Sequence, residues 1–92
     1  EDVSDASGSL WLDVHKRDWS DAGLAATGLS RAQMPRLVEG CAPAGRLRPE
    51  LAARWGMTKR PLIAGGAGDN PAGAIGIGAI RPGATFITLG TS

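Results

Sequence analysis

The run Ala64-Gly65-Gly66-Ala67-Gly68-Asp69-Asn70-Pro71-Ala72-Gly73-Ala74 leaves the backbone few options. Leu62-Ile63-Ala64 is a short apolar stretch, the glycines after it carry no side chains, and Pro71 has the fixed φ of a first helical residue. The order predicts a strand, a bare turn, an acid and a helix start. Glycines at 65, 66 and 68 permit positive φ and let the backbone come close to a ligand. Asp69 and Asn70 are then the first polar side chains at the mouth of the turn. With Pro71 at the first helical position, Asn70 is expected as the N-cap, which leaves Asp69 without a structural duty.

Spacing excludes two familiar uses of such a turn. A dinucleotide-binding fingerprint needs a third glycine or alanine where Pro71 stands, and a P-loop needs Gly-Lys-Ser/Thr after its glycines. Spacing alone leaves two readings of Asp69 open: a carboxylate aimed at a ligand, or one that caps backbone N–H groups. A second glycine turn follows a β-rich run, Ala84-Thr85-Phe86-Ile87-Thr88-Leu89, predicted as a strand. Gly90-Thr91 after it offers N–H groups and a hydroxyl together, a common way to hold a phosphate, with an ordinary hairpin turn as the alternative.

Fourteen glycines and six prolines among 92 residues predict a turn-rich globular protein, since the apolar share of 42% is ordinary. A net charge of +1 gives no electrostatic case for nucleic acid or an anionic membrane. No apolar run approaches the ~18 residues of a spanning helix and no signal peptide opens the chain, so a cytoplasmic setting is expected. The single Cys41 excludes an internal disulfide and a Cys-based zinc cluster, and His15 sits among charges as a surface residue. No residue is assigned to a metal. A start at Glu1 and a stop inside a glycine turn lead us to expect a fragment.

Local signals predict further elements. Leu10-Trp11-Leu12-Asp13-Val14 fits a short strand, and Asp5 before it fits an Asx-type turn or cap. Ser20 fits an N-cap, with Trp19 and Leu24 as a hydrophobic staple and Gly28 closing the helix. Ser30 and Gln33 have capping-box spacing, with Pro35 keeping that turn short. Pro49 opens a helix through Trp55, ended by Gly56, in which Leu51 and Trp55 share a face and are expected in the core.

Taken together, Ser4-Asp5-Ala6-Ser7-Gly8, Leu12-Asp13-Val14 with Arg17-Asp18-Trp19-Ser20, Leu37-Val38-Glu39-Gly40, the turn from Gly66 to Ala74, and Arg81-Pro82-Gly83 before Leu89-Gly90-Thr91-Ser92 form a series. The series resembles the middle of a sugar kinase of the FGGY carbohydrate kinase family, most closely those members that act on xylulose. The resemblance implies an α/β fold of the actin-like, ribonuclease H-like type, with two domains facing a cleft. Residues 1–61 would be the end of the first domain and 62–92 the start of the second. It implies that Asp69 is the catalytic base, that Asn70 binds a substrate hydroxyl, and that Gly90 and Thr91 touch the phosphates of ATP, which would act with Mg2+. No catalytic role is carried onto Asp5.

The expected activity is ATP-dependent phosphorylation of a sugar hydroxyl, D-xylulose first, by a longer protein of which this piece alone is inactive. Another sugar or polyol of the same family is the alternative, as is a non-catalytic module that binds sugar or nucleotide. A free-standing glycine-rich structural domain is a third. The partners expected are the sugar and ATP, with a homodimer as an option for the full-length protein.

Overall fold

The computed structural model describes residues 1–90. Its first helix, α1 (Val3–Ala6), starts where the Asp2 carboxylate accepts the N–H groups of Ser4 and Asp5 at 2.9 and 3.2 Å. These bonds take up two of the donors that a helix start leaves unpaired. A 3-10 turn over Ser7–Ser9 ends at Leu10, whose φ of 67° redirects the chain. β1 (Leu12–Asp13) then pairs antiparallel with β2 (Asp18–Trp19), Leu12 opposite Trp19. The connection is an Asx-type turn in which Asp13 Oδ1 accepts the N–H groups of His15 and Lys16.

α2 (Asp21–Ala26) follows the local signals closely. Ser20 Oγ accepts the Gly23 N–H at 3.1 Å, and Gly28 beyond the helix has a φ of 73°. Trp19 and Leu24 flank the cap and are both buried. Next, a 3-10 turn over Arg31–Gln33 is held by Gln33 Oε1, which accepts from both the N–H and the hydroxyl of Ser30. Arg31 ties the unit together, donating to Asp18, Asp21 and the Trp19 carbonyl at 2.6–2.9 Å.

These elements surround one small core of Val3, Ala6, Leu12, Trp19 and Leu24, with Trp11, Leu29, Met34 and Leu37 against its edge. The buried Trp19 indole donates to the Pro35 carbonyl at 2.9 Å, so its polar end is satisfied. A parallel bridge between Asp2 and Val38 brings the segment after the core alongside the start of α1.

The second part is more open. β3 (Pro43–Arg46) pairs antiparallel with β4 (Leu62–Ala64), with an irregularity between Pro43 and Gly45. Between them, α3 (Pro49–Arg54) carries Pro49 at its first position and buries Ala52. The last element is α4 (Asp69–Gly76).

Three expectations are corrected here. Trp55 is 58% exposed, not in the core. An apolar i, i+4 pair builds a core only where another element faces it, and among the described residues none covers Trp55. Ala84–Leu89 forms no strand, because no described segment pairs with it. The N-cap of α4 is Gly68 and not Asn70. Gly68 has the extended conformation a cap needs, and its carbonyl accepts the Ala72 N–H at 3.0 Å. Pro71 therefore sits at the third helical position, still among the N–H groups that would lack an intrahelical partner.

Candidate active site

The glycine turn between β4 and α4 is pinned at three points. The Gly65 N–H donates to the Ala42 carbonyl and the Gly66 N–H to the Gly40 carbonyl, each at 3.0 Å. The Gly68 N–H donates to Ser4 Oγ at 3.2 Å. The glycines have different reasons to be there. Gly66 alone of the three needs a positive φ, at 88°. At Gly65 the cause is space, since a β carbon would lie 2.5 Å from the Glu39 carbonyl oxygen. Gly40 is required by the same packing from the other side, where a β carbon would run into the Gly66 carbonyl.

This pinned turn delivers Asp69 to the first position of α4, with its side chain exposed. Its Oδ1 accepts the N–H of Asn70 at 2.8 Å. That bond gives Asp69 a local duty, contrary to the expectation that it had none. Oδ2 accepts no hydrogen bond among the described residues, so the carboxylate keeps an oxygen for a ligand. A carboxylate at a helix start is also favoured by the partial positive charge of the free N–H groups.

Asp69 and Asn70 line one side of an open hollow of about 270 Å³, with Gly73 and Ile77 of α4 and with Phe86, Ile87 and Thr88 opposite. The structure thus brings together the two polar residues singled out in the sequence and places the segment leading to the second glycine turn across from them. Gly90 itself lies in an exposed bend and is not part of the hollow's wall. Thr91 falls outside the described residues. Among the described residues no three His, Cys, Asp or Glu side chains converge to hold a metal ion. Mg2+ in a nucleotide site is commonly held by the phosphates with one or two carboxylates, and Asp69 is the carboxylate that lines the hollow.

A second hollow of about 480 Å³ lies along the face of α4 marked by Pro71 and Ile75, and Asp2, Ser4, Arg17 and Glu39 also line it. Arg17 holds Glu39 there with two guanidinium nitrogens at 2.6–3.1 Å.

Sequence reasoning passed over Asp2 and Ser4. Asp2 is 6% exposed, and the Ser4 hydroxyl donates to its Oδ1. That hydroxyl, helped by the N–H groups of Asp5 and Ser4, holds the Asp2 carboxyl below the usual carboxylate range, against the opposing effect of burial. An aspartate just ahead of Val3-Ser4-Asp5 is a helix N-cap signal that could have found it.

Residues 1–76 match the model of the FGGY family of carbohydrate kinases, N-terminal domain. Over 91 residues the chain is 55% identical to a xylulose kinase of Escherichia coli (strain K12), covering 99% of this chain and 19% of that protein. It is 37% identical over 93 residues to xylulose kinase 2 of Arabidopsis thaliana, covering 99% and 16%. An L-fuculokinase of Salmonella typhi is 36% identical over 90 residues, covering 98% and 19%. The crystal structure of a xyloylose kinase from Brucella ovis superposes with a TM-score of 0.83 at 54% identity, over 90% of this chain and 17% of that one. The chain spans less than a fifth of the length of these relatives. Its mixed helices and strands are those of a piece of the actin-like sugar kinase fold expected from the resemblance.

Proposed function

The chain belongs to the FGGY family of carbohydrate kinases, and from that premise we propose that it is part of an enzyme that moves the γ-phosphoryl group of ATP onto a hydroxyl of D-xylulose, giving D-xylulose 5-phosphate. The observation that carries the reading is the exposed Asp69 carboxylate, one oxygen without a protein donor, at the rim of a hollow it shares with Asn70. Identity supports xylulose over other sugars of the family, at 55% to a xylulose kinase against 36% to an L-fuculokinase.

Asp69 acts as the general base. As the sugar oxygen forms its bond to the γ-phosphorus and the bond from that phosphorus to the bridging oxygen of ADP breaks, the hydroxyl proton passes to the carboxylate. Phosphoryl transfer asks little covalent chemistry of a protein, so a base that aligns the nucleophile is a large part of its task. Asn70 hydrogen-bonds a second hydroxyl and fixes the sugar's orientation. Gly90 and Thr91 receive the phosphates on backbone N–H groups and a hydroxyl. Mg2+ belongs to the reading as the companion of the nucleotide phosphates. Residues 1–61 are assigned to the end of the first lobe and 62–92 to the start of the second, in a cytoplasmic enzyme. The β3–β4 ladder and the Ser4–Gly68 bond cross that division, and the match to the family's N-terminal domain runs on to residue 76.

The test is made on the full-length protein. Asp69→Asn keeps the shape and the contact to Asn70 but removes the base. It is expected to lower kcat by about 10²–10⁴-fold while ATP and xylulose still bind, as read by calorimetry. Near-normal turnover would remove Asp69 from the mechanism. A sugar panel with ATP separates the substrates, and nucleotide binding without product on any sugar would mean a binding module and not a kinase.

A further inference from the structure

The Ser4 hydroxyl is used twice. Its proton goes to Asp2 Oδ1, and one of its lone pairs accepts the Gly68 N–H at 3.2 Å. Asp2 is 6% exposed, and the same oxygen also accepts the N–H groups of Ser4 and Asp5 at 2.9 and 3.2 Å. A charged acceptor with three donors fixes the hydroxyl's direction more firmly than a neutral one would. What the hydroxyl then holds is the cap residue of α4, next to Asp69.

The frame around this bond is rigid. Val3 donates to the Val38 carbonyl at 3.1 Å and Val38 to the Glu1 carbonyl at 2.9 Å, so α1 and the segment from Val38 onward form one body. That segment supplies Gly40 and Ala42, which hold Gly66 and Gly65. The entry of the turn is thus fixed by residues 40–42 and its exit by Ser4. Contact at the exit is close as well, since a β carbon on Gly68 would lie 3.1 Å from Asp5 Oδ1.

We propose that Ser4, oriented by the buried Asp2 carboxylate, is a positioning residue for phosphoryl transfer: its bond to the Gly68 N–H sets where α4 begins and so where the Asp69 carboxylate meets the sugar hydroxyl. The proposal rests on Asp69 being the base. Neither Ser4 nor Asp2 touches a reacting atom in this scheme. Their effect is geometric, and a misplacement of about 1 Å at a reacting pair can cost about 10²-fold in rate.

The experiment compares Ser4→Thr with Ser4→Val in the full-length kinase, since the two side chains share a shape and differ by the hydroxyl. Ser4→Val is expected to lower kcat by about 10–100-fold with KM for ATP within about twofold, and Ser4→Thr to recover most of the loss. Hydrogen exchange at the peptide carrying Gly68 is expected to quicken in Ser4→Val and stay slow in Ser4→Thr and in Asp69→Asn. Adding Ser4→Val to Asp69→Asn is expected to cost little further rate, because the group being positioned is already gone. Equal kcat for Thr and Val, or unchanged exchange in Val, overturns the positioning role while a loss in Asp69→Asn leaves the base in place. Normal turnover of Asp69→Asn removes the base and the positioning role together.

Discussion

Gly65 shows why a single missing side chain matters in this fold. A β carbon there would lie 2.5 Å from the Glu39 carbonyl oxygen and 2.9 Å from a Val38 methyl, and the Glu39 backbone cannot swing aside as a flexible side chain would. Gly65→Ala is expected to destabilise the protein by about 1–3 kcal/mol in urea melts. With Asp69 as the proposed base, it should also lower kcat of the full-length protein, because the displaced turn carries that residue. Asp2 ties stability to pH. Its carboxyl is held below its ordinary value of 3.8, so the stability it adds is fully present above that value and is lost as pH falls through the lower folded one. Asp2→Asn should therefore cost stability at neutral pH and reduce the further loss below pH of about 4. Urea melts across that range measure it. Sequence alone treated glycines 65, 66 and 68 alike. It marked them as special, but which needs positive φ and which needs room depends on Val38–Gly40, a segment remote along the chain.

Among the elements, α2 was legible because each of its signals is local: Ser20 bonds Gly23, Trp19 and Leu24 flank the cap, and Gly28 turns the chain. Ser20→Ala is expected to cost about 1 kcal/mol, read as a lower urea midpoint with an unchanged slope. α4 was misplaced at its start because the bond that holds Gly68 comes from Ser4, 64 positions earlier. No window of neighbouring residues contains that information. The β-branched run before Gly90 shows the same limit, since strand propensity is realised only when a partner strand lies alongside. Of the candidate site, Asp69 and Asn70 stood out because glycines strip away competing side chains, whereas the link from Asp2 through Ser4 to Gly68 joins positions far apart in the chain.

The molecule as a whole exposes more surface than its mass requires. Its accessible area is 7052 Å², against about 5,000 Å² for a closed monomer of this mass. The radius of gyration is 16.5 Å, where a compact chain of this length has about 12 Å. Much of the excess is apolar, including Ile77, Phe86, Ile87 and Leu89 around and beyond the hollow. The 92-residue chain is expected to bind the dye ANS strongly and to melt over a broad range. A dye-silent monomer with a sharp transition would contradict that. Leu47 donates to the Pro61 carbonyl at 3.0 Å and Arg60 to the Leu47 carbonyl at 2.7 Å, so the chain clasps itself at the root of the excursion that carries α3. An insertion in the exposed stretch 56–59, between α3 and that clasp, is therefore expected to leave the β3–β4 ladder in register.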